Sequence, residues 1–201
     1  MQSMDPVKVY GLAQVLAQVA QDRQVVVFTH DDRLPAAVRH LQLDARILAV
    51  SRLARSRVTV SGDKHTNPAM RYLDDAWAIA RDEDMADDVR VPLVGNLIRD
   101  AIEYACHELI RTRGFKAGTP ITDLEAEISE AQIRGVRPLL ALALLSDATR
   151  VGELPDVLRR LHPPAARVVA IANSSAHGNT GIDLTALVQD AQRVVGKLGQ
   201  P

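Results

Sequence analysis

Rings are scarce in this sequence: one Trp, three Tyr and two Phe among 201 residues. Stacking of several bases on exposed aromatics is therefore not its main mode of binding any nucleic acid. Charge of one sign is lacking too. Lys plus Arg number 24 against 25 Asp plus Glu, a formal net charge of −1, so the chain as a whole is not a basic nucleic-acid wrapper. A single cysteine, Cys106, excludes an internal disulfide, and no Cys-x-x-Cys occurs. That usage fits a reducing cytoplasm, with Cys106 as a small buried hydrophobe. The longest apolar run, Pro138-Leu-Leu-Ala-Leu-Ala-Leu-Leu145, falls far short of the roughly 20 residues of a membrane span and reads as a buried helix. No basic segment leads into an apolar core at the N-terminus, so no signal peptide is expected.

What is present divides near residue 62. Val7 to Ala20 places apolar residues at helical spacing behind Pro6. Gln24-Val-Val-Val-Phe-Thr29 is an unbroken apolar run, the pattern of a strand buried on both faces of a parallel sheet. Asp31 to Leu41 reads as a short helix, and Arg46–Val50 and Arg57–Val60 as two further strands, the last an edge. The first unit then has about three strands. It offers no neighbour for one side of its most apolar strand, as though it were part of a larger sheet. From 63 onward no convincing strand appears. Helices are expected over 68–81, 92–112, 122–133, 136–145, 153–161, 164–176 and 184–198, with Gly114, Gly135 and Gly178 as stops. The fold class is mostly α: a small N-terminal α/β unit over 1–62 and an all-helical bundle over 63–201.

Two motifs carry chemistry. Near the start, Ser3-Met4-Asp5-Pro6, a helix, and then Val25-Val-Val-Phe-Thr-His30-Asp31 follow one another. A polar residue that ends an apolar strand lies at the carboxyl edge of a sheet, where open α/β folds bind ligands. A histidine there can donate to a phosphate oxygen; it can equally be a surface or capping residue. This succession resembles the end of an ABC-type ATPase domain, most of all its SMC- and RecF-related branch. The resemblance implies that Ser3, Met4 and Asp5 form the D-loop and that His30 is the switch histidine facing the γ-phosphate. No G-x-x-x-x-G-K-[ST] loop, acidic Walker B pair or Leu-Ser-Gly-Gly signature occurs. The resemblance thus implies a chain that resumes just after Walker B, as a fragment, a truncated gene or a remnant. ATP and Mg²⁺ are implied only for a complete ATPase, with no cofactor in this chain alone.

The second motif is helical. Arg99 and Glu103 are four residues apart, as are Asn173 and His177. Each pair has an ordinary reading. Arg-x-x-x-Glu is a common surface ion pair, and His177-Gly178 suits a helix C-terminus. Behind an ABC-like tail, however, the set resembles the HEPN-type domain of ATPase-coupled anticodon nucleases. That resemblance implies Arg99, Glu103 and His177 as a catalytic set with Asn173 ancillary, cleaving RNA such as tRNA without a metal. The shorter Arg-x4–6-His spacing of many HEPN enzymes is absent, since Arg167 lies ten residues before His177. His177 would move the proton of a 2′-hydroxyl or leaving oxygen, and Arg99 would stabilise the phosphate charge. The other class of function is a non-catalytic helical module that dimerises or docks a partner ATPase in a defence or repair system.

The remaining features read as scaffold. Arg52, Arg55 and Arg57 form a solvated edge, and Asp74-Asp75 and Asp82–Asp88 acidic surface. Trp77 is a core anchor. His40, His65, His107 and His162 show no partner at motif spacing.

Overall fold

A computed structural model describes residues 6–52, 57–62, 67–174 and 181–199. Among these the chain is mostly helical with one small sheet. Helices α1 (Pro6–Val19) and α2 (Arg33–His40) precede strands β1 (Ala49–Arg52) and β2 (Val58–Ser61). There follow α3 (Pro68–Ala80), α4 (Asp87–Lys116), α5 (Ile121–Ile133), α6 (Val136–Leu145), α7 (Leu154–Leu161), α8 (Ala165–Ser174) and α9 (Leu184–Leu198).

The strands pair antiparallel, with Val50 opposite Val60 and Arg52 opposite Val58. The expected strand over 24–29 is different. It carries no strand pairing among the described residues, and its side chains lie open: Val26 is 65% and Phe28 90% exposed. An apolar run pairs only where a neighbouring strand offers its backbone groups, and none of the described residues does so here.

Local signals account for the helices. Asn67 caps α3 by accepting from the Ala69 amide at 3.0 Å, with Pro68 in the first turn, and Asp183 caps α9 by accepting from the Ala186 amide at 3.0 Å. Helix α4 begins at Asp87, five residues before the expected start at Pro92. Asp87 and Asp88 at its positive end favour that extension, which offsets the amide that Pro92 cannot supply. Two of the five acids over 82–88, Asp87 and Asp88, therefore belong to a helix N-terminus.

Gly114 is not a stop. It lies inside α4 where α5 crosses, and a Cβ there would stand 2.3 Å from a methyl carbon of Leu124. Gly114→Ala gains about 1 kcal/mol of helix propensity and loses about 1–3 kcal/mol to overpacking. A net loss of about 1 kcal/mol is expected in urea unfolding.

One continuous core joins α3 to α9, with Leu73, Ile98, Ile102, Leu139, Leu140 and Val188 fully buried. Cys106 belongs to it, and burial pushes its thiol pKa up. Trp77 packs at the core's margin, half-buried. Arg113 reaches from α4 to the Ala143 and Leu142 carbonyls at 2.9 and 2.8 Å, which satisfies the end of α6 with a cation. A second, small cluster holds Val9, Ala13 and Ala37 between α1 and α2.

The outer side of α1 has no such cover. Leu12, Val15 and Val19 recur at helical spacing and are all exposed. Val26, Val27 and Phe28, in the chain that follows the helix, are exposed as well.

Candidate functional site

Ser3, Met4, Asp5, Arg55, His65, His177 and Gly178 lie outside the described residues. His30 is exposed at the end of the unpaired apolar run. Beside it, the Asp31 carboxylate grips the Arg33 guanidinium, and hydrogen bonds from Arg33 hold its pKa down at about 2.

Arg99 and Glu103 form the ion pair that their spacing implies. Arg99 Nε donates to Glu103 Oε1 at 2.7 Å, and Gln132 Nε2 donates to the other carboxylate oxygen at 3.3 Å. Glu103 is largely covered, with 14% of its side chain exposed, whereas Arg99 is 38% exposed. The carboxylate thus holds Arg99 through Nε and leaves the outer edge of the guanidinium toward solvent. Burial, with the Glu103 charge second, raises the pKa of neighbouring Asp100. Asn173 lines a separate groove of about 250 Å³ with Arg137, Leu154, Pro155 and Leu158. Neither Arg99 nor Glu103 contributes to that groove.

The densest polar cluster lies elsewhere, where α1 and α2 meet α4. Tyr10 Oη lies 2.7 Å from His40 Nδ1, and His40 Nε2 lies 2.8 Å from Glu108 Oε1. A carboxylate only accepts, so it assigns the proton to Nε2, and Nδ1 accepts from the Tyr10 hydroxyl. Phe115 closes on the Tyr10 ring at 4.6 Å between centroids. The His40 side chain is 1% exposed and both its nitrogens are engaged. No lone pair or proton is left for a substrate, so the chain of bonds acts as a latch between the first unit and the bundle rather than as a general base. Burial raises the Glu108 pKa, but the hydrogen bond from His40 and the charges of Arg39 and Arg111 outweigh it, and the net shift is downward. Burial, with the Glu108 charge second, pushes the Tyr104 phenol up to about 12.

Arg39 completes the cluster. Its Nη2 donates to Tyr104 Oη at 3.2 Å and its Nε lies 3.6 Å from Glu108 Oε2, while its Nη1 is buried with no partner. A buried donor left unpaired costs about 1–3 kcal/mol. None of this was visible from spacing: His40 is 30 residues from Tyr10 and 68 from Glu108. His162, also without a motif partner, lies 3.1 Å from Asp190 on α9.

His107, next to Glu108, makes the fold sensitive to acid. Burial first and the Arg111 charge second lower its pKa, and its Nε2 is buried without a partner. A depressed histidine pKa means that the unfolded chain takes the proton first, so stability falls as pH drops below about 6.5. Glu108 adds to that loss below its ordinary range near 4.5, with the same sign. His107→Leu is expected to flatten the fall in Tm between pH about 6.5 and 5 and to raise stability at pH 7 by about 1 kcal/mol. Melting curves across that range check both.

Among the described residues no group of three His, Cys, Asp or Glu could hold a metal ion, and no helix is long and apolar enough to cross a membrane. No known family profile matches the chain, nor does any curated protein or solved structure.

Proposed function

We propose that residues 1–62 work as the C-terminal piece of an ABC-type, SMC/RecF-like ATPase domain and that residues 63–201 are the helical domain it carries. The observation behind this reading is the uncovered surface of the first unit. A helix with a bare apolar stripe (Leu12, Val15, Val19) leads to an apolar run (Val26, Val27, Phe28) that has no strand beside it among the described residues. Such a pair is what an ATPase sheet would cover, with the run inserted as a strand and the helix laid on its face. His30 would then stand at the carboxyl edge of the completed sheet. Ser3, Asp5 and His30 are its contribution to a nucleotide site whose phosphate loop, ATP and Mg²⁺ belong to the ATPase core. The test is reconstitution with an ABC-type ATPase core from the same genome that carries Walker A and Walker B. A stoichiometric complex whose ATP hydrolysis falls in His30→Ala supports the reading. Absence of a complex, or hydrolysis indifferent to His30, contradicts it.

A second reading concerns the helical domain: a metal-independent RNase acting on tRNA. What favours it is the held Arg99, whose Nε is pinned by Glu103 while the outer edge of its guanidinium faces solvent. There it can take a phosphate in two-pronged fashion. His177 would move the proton, and Asn173 would position the substrate. Cleavage of tRNA in EDTA by the reconstituted complex, lost in His177→Ala and in Arg99→Ala, supports it. Intact tRNA under those conditions leaves the helical domain as an interaction module that docks or regulates the ATPase.

A further inference from the structure

Beside the latch, α2, α4 and α9 enclose a cleft of about 230 Å³. Its walls come from three separate parts of the chain: Arg39 and His40 from the first unit, Tyr104 and Thr112 from α4, and Leu198 near the C-terminus of α9. Asn67, at the start of α3, closes one side.

The hydrogen bonds made around this cleft leave it rich in donors. Asn67 spends its Oδ1 on the α3 cap, which leaves its amide Nδ2–H groups. Tyr104 accepts from Arg39, so its own proton remains to be given. Thr112 adds a hydroxyl, and Arg39 holds the buried Nη1 that bonds nothing. The acid on the wall, Glu108, is covered by His40 and Arg39 and presents little uncompensated charge. Gln42, at the rim, takes the left-handed backbone conformation (φ 52°), which carries the chain out of α2 at the mouth of the cleft.

We propose that this cleft is a binding site for a small oxyanion, a phosphate or a short carboxylate, received by Arg39, Tyr104, Asn67 and Thr112. A small turn of the Arg39 guanidinium brings Nη1 to the anion. The volume suits an ion or a short acid and is below the range of pockets that hold nucleotides or drug-sized ligands. Because its walls belong to the first unit and to both ends of the bundle, an occupant ties the two together beside the Tyr10–His40–Glu108 latch. The site stands on its own geometry and does not depend on the nucleotide reading.

The test is thermal unfolding of the full chain with inorganic phosphate, with succinate, and with sodium chloride at matched ionic strength. A saturable rise in Tm of about 3–6 °C is expected once the ligand is about tenfold above its Kd. Response to phosphate alone, to succinate alone or to both supports the site and names its ligand class. Arg39→Gln should abolish the rise, and Thr112→Val, a nearly isosteric change, should weaken it at least severalfold in Kd. Arg159→Gln, on an exposed face of α7, should leave it intact. Should Arg39→Gln fail to fold, Thr112→Val carries the test. No rise with either anion, an equal rise with sodium chloride, or a rise unchanged in both variants overturns the proposal.

Discussion

Glu108→Ala is expected to destabilise the chain by about 3 kcal/mol, at the lower end of what breaking a buried ion pair costs because one face of Glu108 is not fully enclosed. The loss has three parts. His40 is left with its Nε2–H unanswered in a buried setting, Arg39 loses its carboxylate, and Tyr10 is left facing a ring that no longer has a fixed proton. The same reasoning orders milder changes. Tyr10→Phe removes one neutral hydrogen bond and should cost about 1 kcal/mol. Glu108→Gln keeps an acceptor and should fall between the two. A double-mutant cycle between Tyr10→Phe and Glu108→Gln should show a coupling of at least 0.5 kcal/mol, roughly the threshold for residues in one network. Urea unfolding measures all of these. Additive losses would mean that the three side chains are neighbours and not one network.

Phe28→Asp should do the opposite. In the isolated chain the ring is 90% exposed, and its replacement should change stability by no more than about 0.5 kcal/mol. In the proposed complex with an ATPase core the ring would be buried, and loss of its apolar area should cost at least about 2 kcal/mol, roughly thirtyfold in Kd. A charge placed inside a sheet adds to that cost. Val15→Asp on the α1 stripe should weaken binding in the same direction. Titration of the core with each variant, beside melting curves of the free chains, separates the two effects. Parallel loss of stability and binding would mean that Phe28 serves the folding of this chain and not docking.

The helices were largely legible in the sequence because their signals are local. Gly135 was expected as a stop and α5 ends just before it, at Ile133, while apolar spacing alone was enough to place α6 and α9. Where local signals competed, the reading slipped. Pro92 looked like a start, but Asp87 and Asp88 already sit well at the positive end of α4. Gly114 looked like a stop, but it is a contact point for Leu124. The run over 24–29 has the composition of a buried strand, and composition says nothing about whether a partner strand is at hand. The Arg99–Glu103 pair was legible because four residues make one helical turn. The His40 cluster was not, because its members meet only after α1 and α2 fold onto α4.

Amide hydrogen exchange over residues 24–29 tests the central claim most directly. In the isolated chain these amides have no strand partner among the described residues, and they should exchange at close to the unprotected rate. On addition of an ABC-type ATPase core they should become protected as a block, together with α1, while α6 and α9 stay as they were. Amides over 24–29 that are already protected in the free chain, or that stay unprotected in a stable complex, would contradict the account.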